Sequence, residues 1–462
     1  MKGKFKIAYP IYFIALVLTT ALGCSKSTLP QPVVPPVVVY QDPPQYGTPF
    51  SAVPASKDMV MYEVNIRTYA PANFIGAMAR LDSIKALGVN VIWLMPSYPI
   101  GIVKGIGSPY AIKDYTAVKP EFGTLEDFRA YVAKAHSLGM AVIMDWVANH
   151  TSWDHVWIGN KSWYKQDTYG NIIIPPGTNY SDVAALDFNN TDMRLEMIKA
   201  MKYWVYTANI DGYRCDFADN VPSDFWKQSL DSLKKINTHK LILLAEGTKG
   251  DHISAGFQLS YAFNFYGTLK GLFAGTQTTA ALFSSNTNEN ASLPSPGIKL
   301  RYITNHDVSS YDGSTLQIYK SKQGALAAFT LASYMGGIPL IYNSQEVGYA
   351  NTIDFFKDVQ VNYNANQDMV AAYKKILAFK KAHEALKVGA LTAYADDNVV
   401  AFERKDGTDN VLILVNIKNS TIPFNIPAGL QNTTWKNGLN NSNVTLATQY
   451  SFQPYEYLVL SK

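Results

Sequence analysis

Leu138-Gly139-Met140-Ala141-Val142-Ile143-Met144-Asp145-Trp146-Val147 is the stretch on which the fold turns. A glycine that can end a helix is followed by an unbroken apolar run with one acid near its far end. Such a run is the pattern of a strand buried on both faces. An acid there is costly unless it is paired or used. Just upstream, Thr124 with Asp127 forms a capping box, and Leu125, Phe128, Val132, Ala135 and Leu138 recur at helical spacing. Helix, glycine, buried strand and terminal acid make one unit of a parallel α/β arrangement.

The unit repeats in both directions. Towards the N-terminus, Met59–Tyr69 is strand-like; Asn73 caps a helix with apolar Ile75, Met78, Leu81, Ile84 and Leu87, closed by Gly88; Val89–Met95 is another apolar run. Towards the C-terminus the pattern predicts helices over 191–208, 224–236, 323–335 and 369–381. Strands are expected over 211–218, 241–245, 259–265, 300–305 and 338–342. Eight strands alternating with helices fit a (β/α)8 TIM barrel over residues 57–385; a doubly wound sheet is the competing arrangement. The connection over 148–190 is far longer than the usual 2–6 residues or so. Its Trp153, Trp157, Trp163, Tyr164, Pro175 and Pro176 suggest a short inserted subdomain with a minor core of its own, walling one side of a cleft. From 386 to 462 the pattern changes to short alternating segments separated by turns such as Lys405-Asp406-Gly407, a C-terminal antiparallel β-sandwich.

The start of the chain carries a different message. Lys2, Lys4 and Lys6 precede an apolar run from Ile7 to Leu22, then Gly23-Cys24. That is the form of a secretory signal peptide over residues 1–23, and the run is a little short for a membrane span of about 20 residues. Ala21-Leu22-Gly23-Cys24 resembles a lipobox, with Cys24 as the lipidated residue. Residues 24–56, rich in Pro, form an extended linker. The expectation is an exported, membrane-anchored lipoprotein on the periplasmic or cell-surface face. The other cysteine, Cys215, sits in an apolar strand and is expected to be a buried small hydrophobe, not a disulfide partner. Hydrophobic residues make up 47% and charged ones 16%, with a formal charge of +4, so the chain is globular and no nucleic-acid partner is indicated. Nothing calls for more than a monomer.

On this map four acids fall at strand ends: Asp145, Asp216, Glu246 and Asp307. In such barrels the C-terminal strand ends converge on one site. Hydrolysis of a glycoside needs two carboxyl groups across the scissile bond. Arg214, two residues from Asp216, is expected to hold that carboxyl low and ionised as nucleophile. Glu246, closing Leu241–Ala245, is expected to keep its proton by burial. Asp307 can bind ring hydroxyls, and His150 and His306 can donate hydrogen bonds beside it.

These residues resemble the signatures of the α-amylase family, glycoside hydrolase family 13. Asp145-Trp146-Val147-Ala148-Asn149-His150, Gly212-Tyr213-Arg214-Cys215-Asp216, Ala245-Glu246-Gly247 and Asn305-His306-Asp307 stand in the family's order. The resemblance implies cleavage of α-1,4-glucosidic bonds in starch and maltooligosaccharides, with retention, through a covalent intermediate on Asp216. It implies Asp216, Glu246 and Asp307 as catalytic acids, and Tyr110, His150, Arg214, His306, Asp145 and Asp219 as substrate-binding residues. It also implies a calcium ion at Asn149, although Ala185 stands where a ligand Asp is common; no cofactor is required. Asp219-Asn220-Val221-Pro222 departs from many α-amylases towards neopullulanase and cyclomaltodextrinase relatives. An α-glucan transglycosylase and a glucan-binding lipoprotein without catalysis are the further alternatives.

Overall fold

The computed structural model describes residues 41–462. Cys24, the apolar leader and the first part of the linker lie outside them. Eight parallel strands close into a barrel: β1 (Met61–Val64), β2 (Val91–Leu94), β3 (Ala141–Trp146), β4 (Gly212–Cys215), β5 (Ile242–Ala245), β6 (Leu259–Tyr261), β7 (Ile298–Arg301) and β8 (Ile338–Tyr342). Each strand pairs with its neighbours in sequence and β8 closes on β1, so the expected TIM barrel is the fold and the doubly wound sheet is not. The strands read as continuous apolar runs because both faces are covered, by the barrel interior and by the helical ring. The helix over Leu125–Ser137 starts at the Thr124–Asp127 capping box that the sequence marks.

Several boundaries differ from the sequence pattern, each for a local reason. β1 ends at Val64 because the Asn65 side chain accepts from Arg67 N and turns the chain into a short 3-10 segment, Ile66–Thr68. The single helix expected after Asn73 is two pieces, Phe74–Met78 and Leu81–Lys85. A 3-10-type bond from Arg80 N to Ala77 O tightens the turn between them and leaves Leu81 and Ile84 facing the core. β6 stops at Tyr261, and a helix over Phe263–Ala274 takes the rest of the expected strand. Its first amides, Asn264 N and Phe265 N, donate to Glu289 from a second helix over Thr279–Ala291, a cap that comes from tertiary structure. β7 begins earlier than expected; the charges of Lys299 and Arg301 disguise it. Both are buried: Lys299 donates to Ser260 and to Tyr261 O, and Arg301 to Glu289 and Asn286.

The expected 385/386 boundary falls in a short helix, Ala385–Val388, and the C-terminal sheet begins at Ala390. Six strands form that sheet and a two-stranded ladder, Ile422–Asn425 with Gln449–Phe452, packs on one face of it. Alternation along Val399–Asp406 divides the side chains. Val399 and Ala401 join Phe424 and Phe452 in the domain's own core, and Val400 and Phe402 join the barrel's core.

Candidate active site

The C-terminal ends of the strands gather five acids: Glu63 in β1, Asp145 in β3, Asp216 and Glu246 directly after β4 and β5, and Asp307 in the turn of helix after β7. At their centre stands Arg214, fully buried. Its Nη1 lies 2.8 Å from Asp145 Oδ1 and 2.9 Å from Asp216 Oδ1, and its Nη2 lies 2.7 Å from Glu246 Oε1. The Trp93 ring flanks the guanidinium at 5.0 Å and Tyr261 at 5.7 Å, a dry surround that makes every charge interaction stronger.

One cation shared by three buried carboxyl groups leaves a surplus of negative charge. Burial raises the Asp216 pKa to about 6; Arg214 opposes the rise, and Asp145 and Asp307 add to it. The expectation that Arg214 would hold Asp216 low is therefore corrected: the guanidinium limits the rise but does not reverse it, because it is divided among three acids. Burial raises Glu246 further, to about 7, with Asp216 and Asp307 adding and Arg214 opposing. The two acids thus divide as a nucleophile and a proton donor require, Glu246 holding its proton to higher pH than Asp216. The Glu246 carboxyl is further fixed by Phe217 N, which donates to Oε2 at 2.7 Å. Phe217 does so from a left-handed backbone (φ 47), a strained conformation for a bulky residue and of the kind found at functional sites.

Above this floor opens a cleft of about 660 Å³ lined by Asp216, Glu246, Asp307, His150, His306 and Tyr110, with Tyr180, Phe217, Phe263, Tyr311, Phe355 and Phe356 as an aromatic wall. Part of that wall, Asn179–Val183, comes from the long 148–190 connection, as expected. Trp153, Trp157 and Trp163 of the same connection are half-buried against the core instead, Trp157 edge-on to Trp163 at 5.4 Å.

Tyr110 and His306 work together: their rings stack at 5.4 Å and the Tyr110 hydroxyl lies 2.7 Å from His306 Nε2. His306 Nδ1 is 2.5 Å from Glu63 Oε1. Burial pulls the His306 pKa down, but Asp307 and Glu63 outweigh it and the ring stays cationic, raised to about 9. Glu63 is absent from the sequence-derived set. Its signal was a lone acid in an otherwise apolar first strand. His150 is the opposite case: burial lowers it to about 4, so it is neutral near pH 7. Asn149 Nδ2 donates to its Nδ1 at 3.2 Å, leaving the proton on Nε2.

Two expected substrate-binding residues lie outside the cleft lining, and a third lines it with its carboxylate engaged elsewhere. Asp145 and Arg214 lie beneath the cleft, outside its lining, and Asp145 also accepts from Trp93 Nε1 and the Tyr110 hydroxyl. Asp219 borders the cleft, but its carboxylate accepts from Thr248 N, Lys249 N and His252 Nε2, pinning the loop after Glu246. Burial acts to raise its pKa, yet these donors bring it down to about 2. The surroundings of Asn149 do not suit a calcium ion. The His150 contact uses only Asn149 Nδ2 and leaves Oδ1 open, but Ala185 pairs with His150 across the ladder where a carboxylate would be needed. Among the described residues no group of three or more His, Cys, Asp or Glu is placed to hold a metal. Cys215 is a buried free thiol, as expected.

A closed parallel barrel with paired carboxyl groups of unequal basicity, clamped by one buried guanidinium beneath the cleft, defines a barrel glycoside hydrolase. The chain belongs to the α-amylase family. Residues 71–181 and 176–384 match the alpha amylase catalytic domain and residues 393–453 the alpha amylase C-terminal all-beta domain. It is 24% identical over 397 residues to Alpha-amylase 2 of Dictyoglomus thermophilum, covering 79% of this chain and 68% of that one. It is 25% identical over 372 residues to a cyclomaltodextrinase of Thermoanaerobacter pseudethanolicus, covering 74% and 62%. The chain thus spans roughly two thirds of the length of these curated relatives. Among solved structures, an α-amylase from Lactobacillus plantarum superposes with a TM-score of 0.80 at 27% identity, over 88% of this chain and 99% of that one.

Proposed function

We propose that the protein hydrolyses α-1,4-glucosidic bonds of starch and maltooligosaccharides with retention of the anomeric configuration. The observation that carries this is the single Arg214 guanidinium joined to both Asp216 and Glu246. It holds the two carboxyl groups at one cleft, while burial and the neighbouring acids raise Glu246 above Asp216. In the first step the protonated Glu246 gives its proton to the glycosidic oxygen while Asp216 Oδ attacks C1, so the C1–O bond breaks and a glucosyl–Asp216 ester forms. In the second, Glu246 as carboxylate takes a proton from water, whose oxygen attacks C1 and releases Asp216. Tyr110 offers a ring face to the sugar undergoing cleavage. The cationic His306, with Asp307 and His150 Nε2–H, meets its hydroxyls.

A cyclomaltodextrinase-like preference is the second reading, favoured by Asp219-Asn220-Val221-Pro222 and by the relative of that name. The same proposal takes the enzyme as an exported monomer anchored through a lipid on Cys24. Radiolabelled palmitate incorporated by the wild type and not by Cys24→Ser would support the anchor; a soluble, unlabelled wild-type protein would refute it. The function is tested by following products from soluble starch with anomeric NMR, for the wild type and Asp216→Asn. Short maltooligosaccharides released in the α configuration, with the variant nearly inert, are expected. Turnover of cyclodextrin or pullulan with starch untouched would move the substrate to the second reading. Release in the β configuration would overturn the mechanism.

A further inference from the structure

At the opposite end of the barrel from the cleft, a second cavity of about 440 Å³ lies between the barrel and the C-terminal domain. The base of β7, the Gly336-Gly337 turn before β8, the Ala385–Val388 helix and Arg404 of the C-terminal sheet all border it. Four basic residues, Lys57, Lys299, Lys387 and Arg404, line it, and no acidic residue does. Lys57 and Lys387 are matched by Asp58 and Glu384 behind them. Arg404 is not matched. It is 5% exposed, its Nε donates to Ala385 O, and among the described residues neither Nη nitrogen has a partner and no carboxylate pairs with it.

A buried guanidinium without a counter-charge is expensive, and its neighbours compound the cost. Arg301 stands close enough to act on it as a like charge. The surplus reaches the buried Lys380, whose ammonium donates to Ser333 O, Gly337 O and Leu386 O. Burial first, then Arg404 and Lys387, bring Lys380 down to about 7. The glycines at 336 and 337, both at positive φ, let the backbone pass close to the guanidinium: a Cβ on Gly336 would stand 3.2 Å from Arg404 Nη1. Asn286 and Asn290 add amides to the same wall.

We propose that this cavity binds a phosphate group, free or carried on a sugar, on the two Nη nitrogens of Arg404. The planar fork of a guanidinium matches two oxygens of a tetrahedral oxyanion. The anion supplies the missing counter-charge and ties the barrel to the C-terminal domain, and it does so independently of the catalytic cleft.

The test uses the full chain at constant ionic strength balanced with sodium chloride. Inorganic phosphate and glucose 6-phosphate are titrated by calorimetry, and the unfolding midpoint is followed alongside. Saturable binding with a millimolar Kd and a Tm rise of about 2 °C at ten times Kd are expected. Arg404→Gln should lose both. Should that variant fail to fold, Asn290→Asp sets a carboxylate on the exposed rim and should weaken binding about fivefold or more. Tighter binding of glucose 6-phosphate identifies a sugar phosphate as the ligand, and equal or weaker binding identifies the free ion. No saturable binding up to about 20 mM, or the same Tm rise in wild type and variants, overturns the proposal.

Discussion

Replacing Arg214 by Met removes the one cation that Asp145, Asp216 and Glu246 share while keeping most of the side chain's volume. The guanidinium touches all three at 2.7–2.9 Å, so its charge is the main force opposing burial at each. A cation at such range lowers a carboxyl pKa by about 1–3 units. Without it, Asp216 moves from about 6 to about 7–9. At pH 6.5 about three quarters of the wild-type nucleophile is ionised. In the variant that fraction falls to about a quarter for the smaller shift and below one per cent for the larger. The supply of nucleophile alone then falls about 3- to 200-fold, and the acid limb of kcat moves up by the same 1–3 units or so. The assay is kcat against pH on a chromogenic maltooligosaccharide, with circular dichroism to establish that the variant is folded. A folded variant whose kcat falls equally at every pH, with the acid limb unmoved, would refute the reasoning: Arg214 would then only place the side chains, and charge sharing would not govern the site.

The same acids make stability depend on pH. Asp216 and Glu246 titrate in the folded protein near 6 and near 7, above the ordinary values of 3.8 and 4.5. The native state therefore holds more protons than the unfolded chain between about pH 4 and 7, and stability declines as pH rises through that window. The decline is of order 3 kcal/mol per group, so the urea midpoint should be lower at pH 8 than at pH 5; a midpoint that rises over this range contradicts the assignment. In Glu63→Gln, His306 loses its anionic partner and its pKa drops from about 9. kcat/KM should then fall about tenfold at pH 8 and much less at pH 6, where the ring is still protonated; an equal loss at both pH values would point to misplacement rather than charge. Because Ala185 stands beside Asn149 and His150 where a hard cation would need a carboxylate, EDTA should leave most of the activity on starch in place, and loss that calcium restores would show otherwise.

The sequence alone decided the architecture and the identity of four of the five acids, because both depend on local rules. Apolar runs long enough to be buried on both faces, helices marked by caps such as Thr124–Asp127 and acids at strand ends are legible within a dozen residues. Barrel closure then brings Asp216, Glu246 and Asp307 into one cleft. Tertiary structure decided what each acid is worth. Glu63 meets His306 across 243 positions of sequence, so its lone place in an apolar strand does not announce its partner. Asp145 and Arg214 lie beneath the cleft and act through Asp216, Glu246 and Tyr110. Asp216 is raised where its neighbouring arginine suggested the reverse, since burial and the sharing of one cation among three acids are properties of the packed site. The helix over Phe263–Ala274 was hidden for the same reason: the carboxylate that caps it, Glu289, belongs to another helix. Periodicity and caps are written in neighbouring residues, whereas desolvation and charge balance come into being only when distant strands close around them.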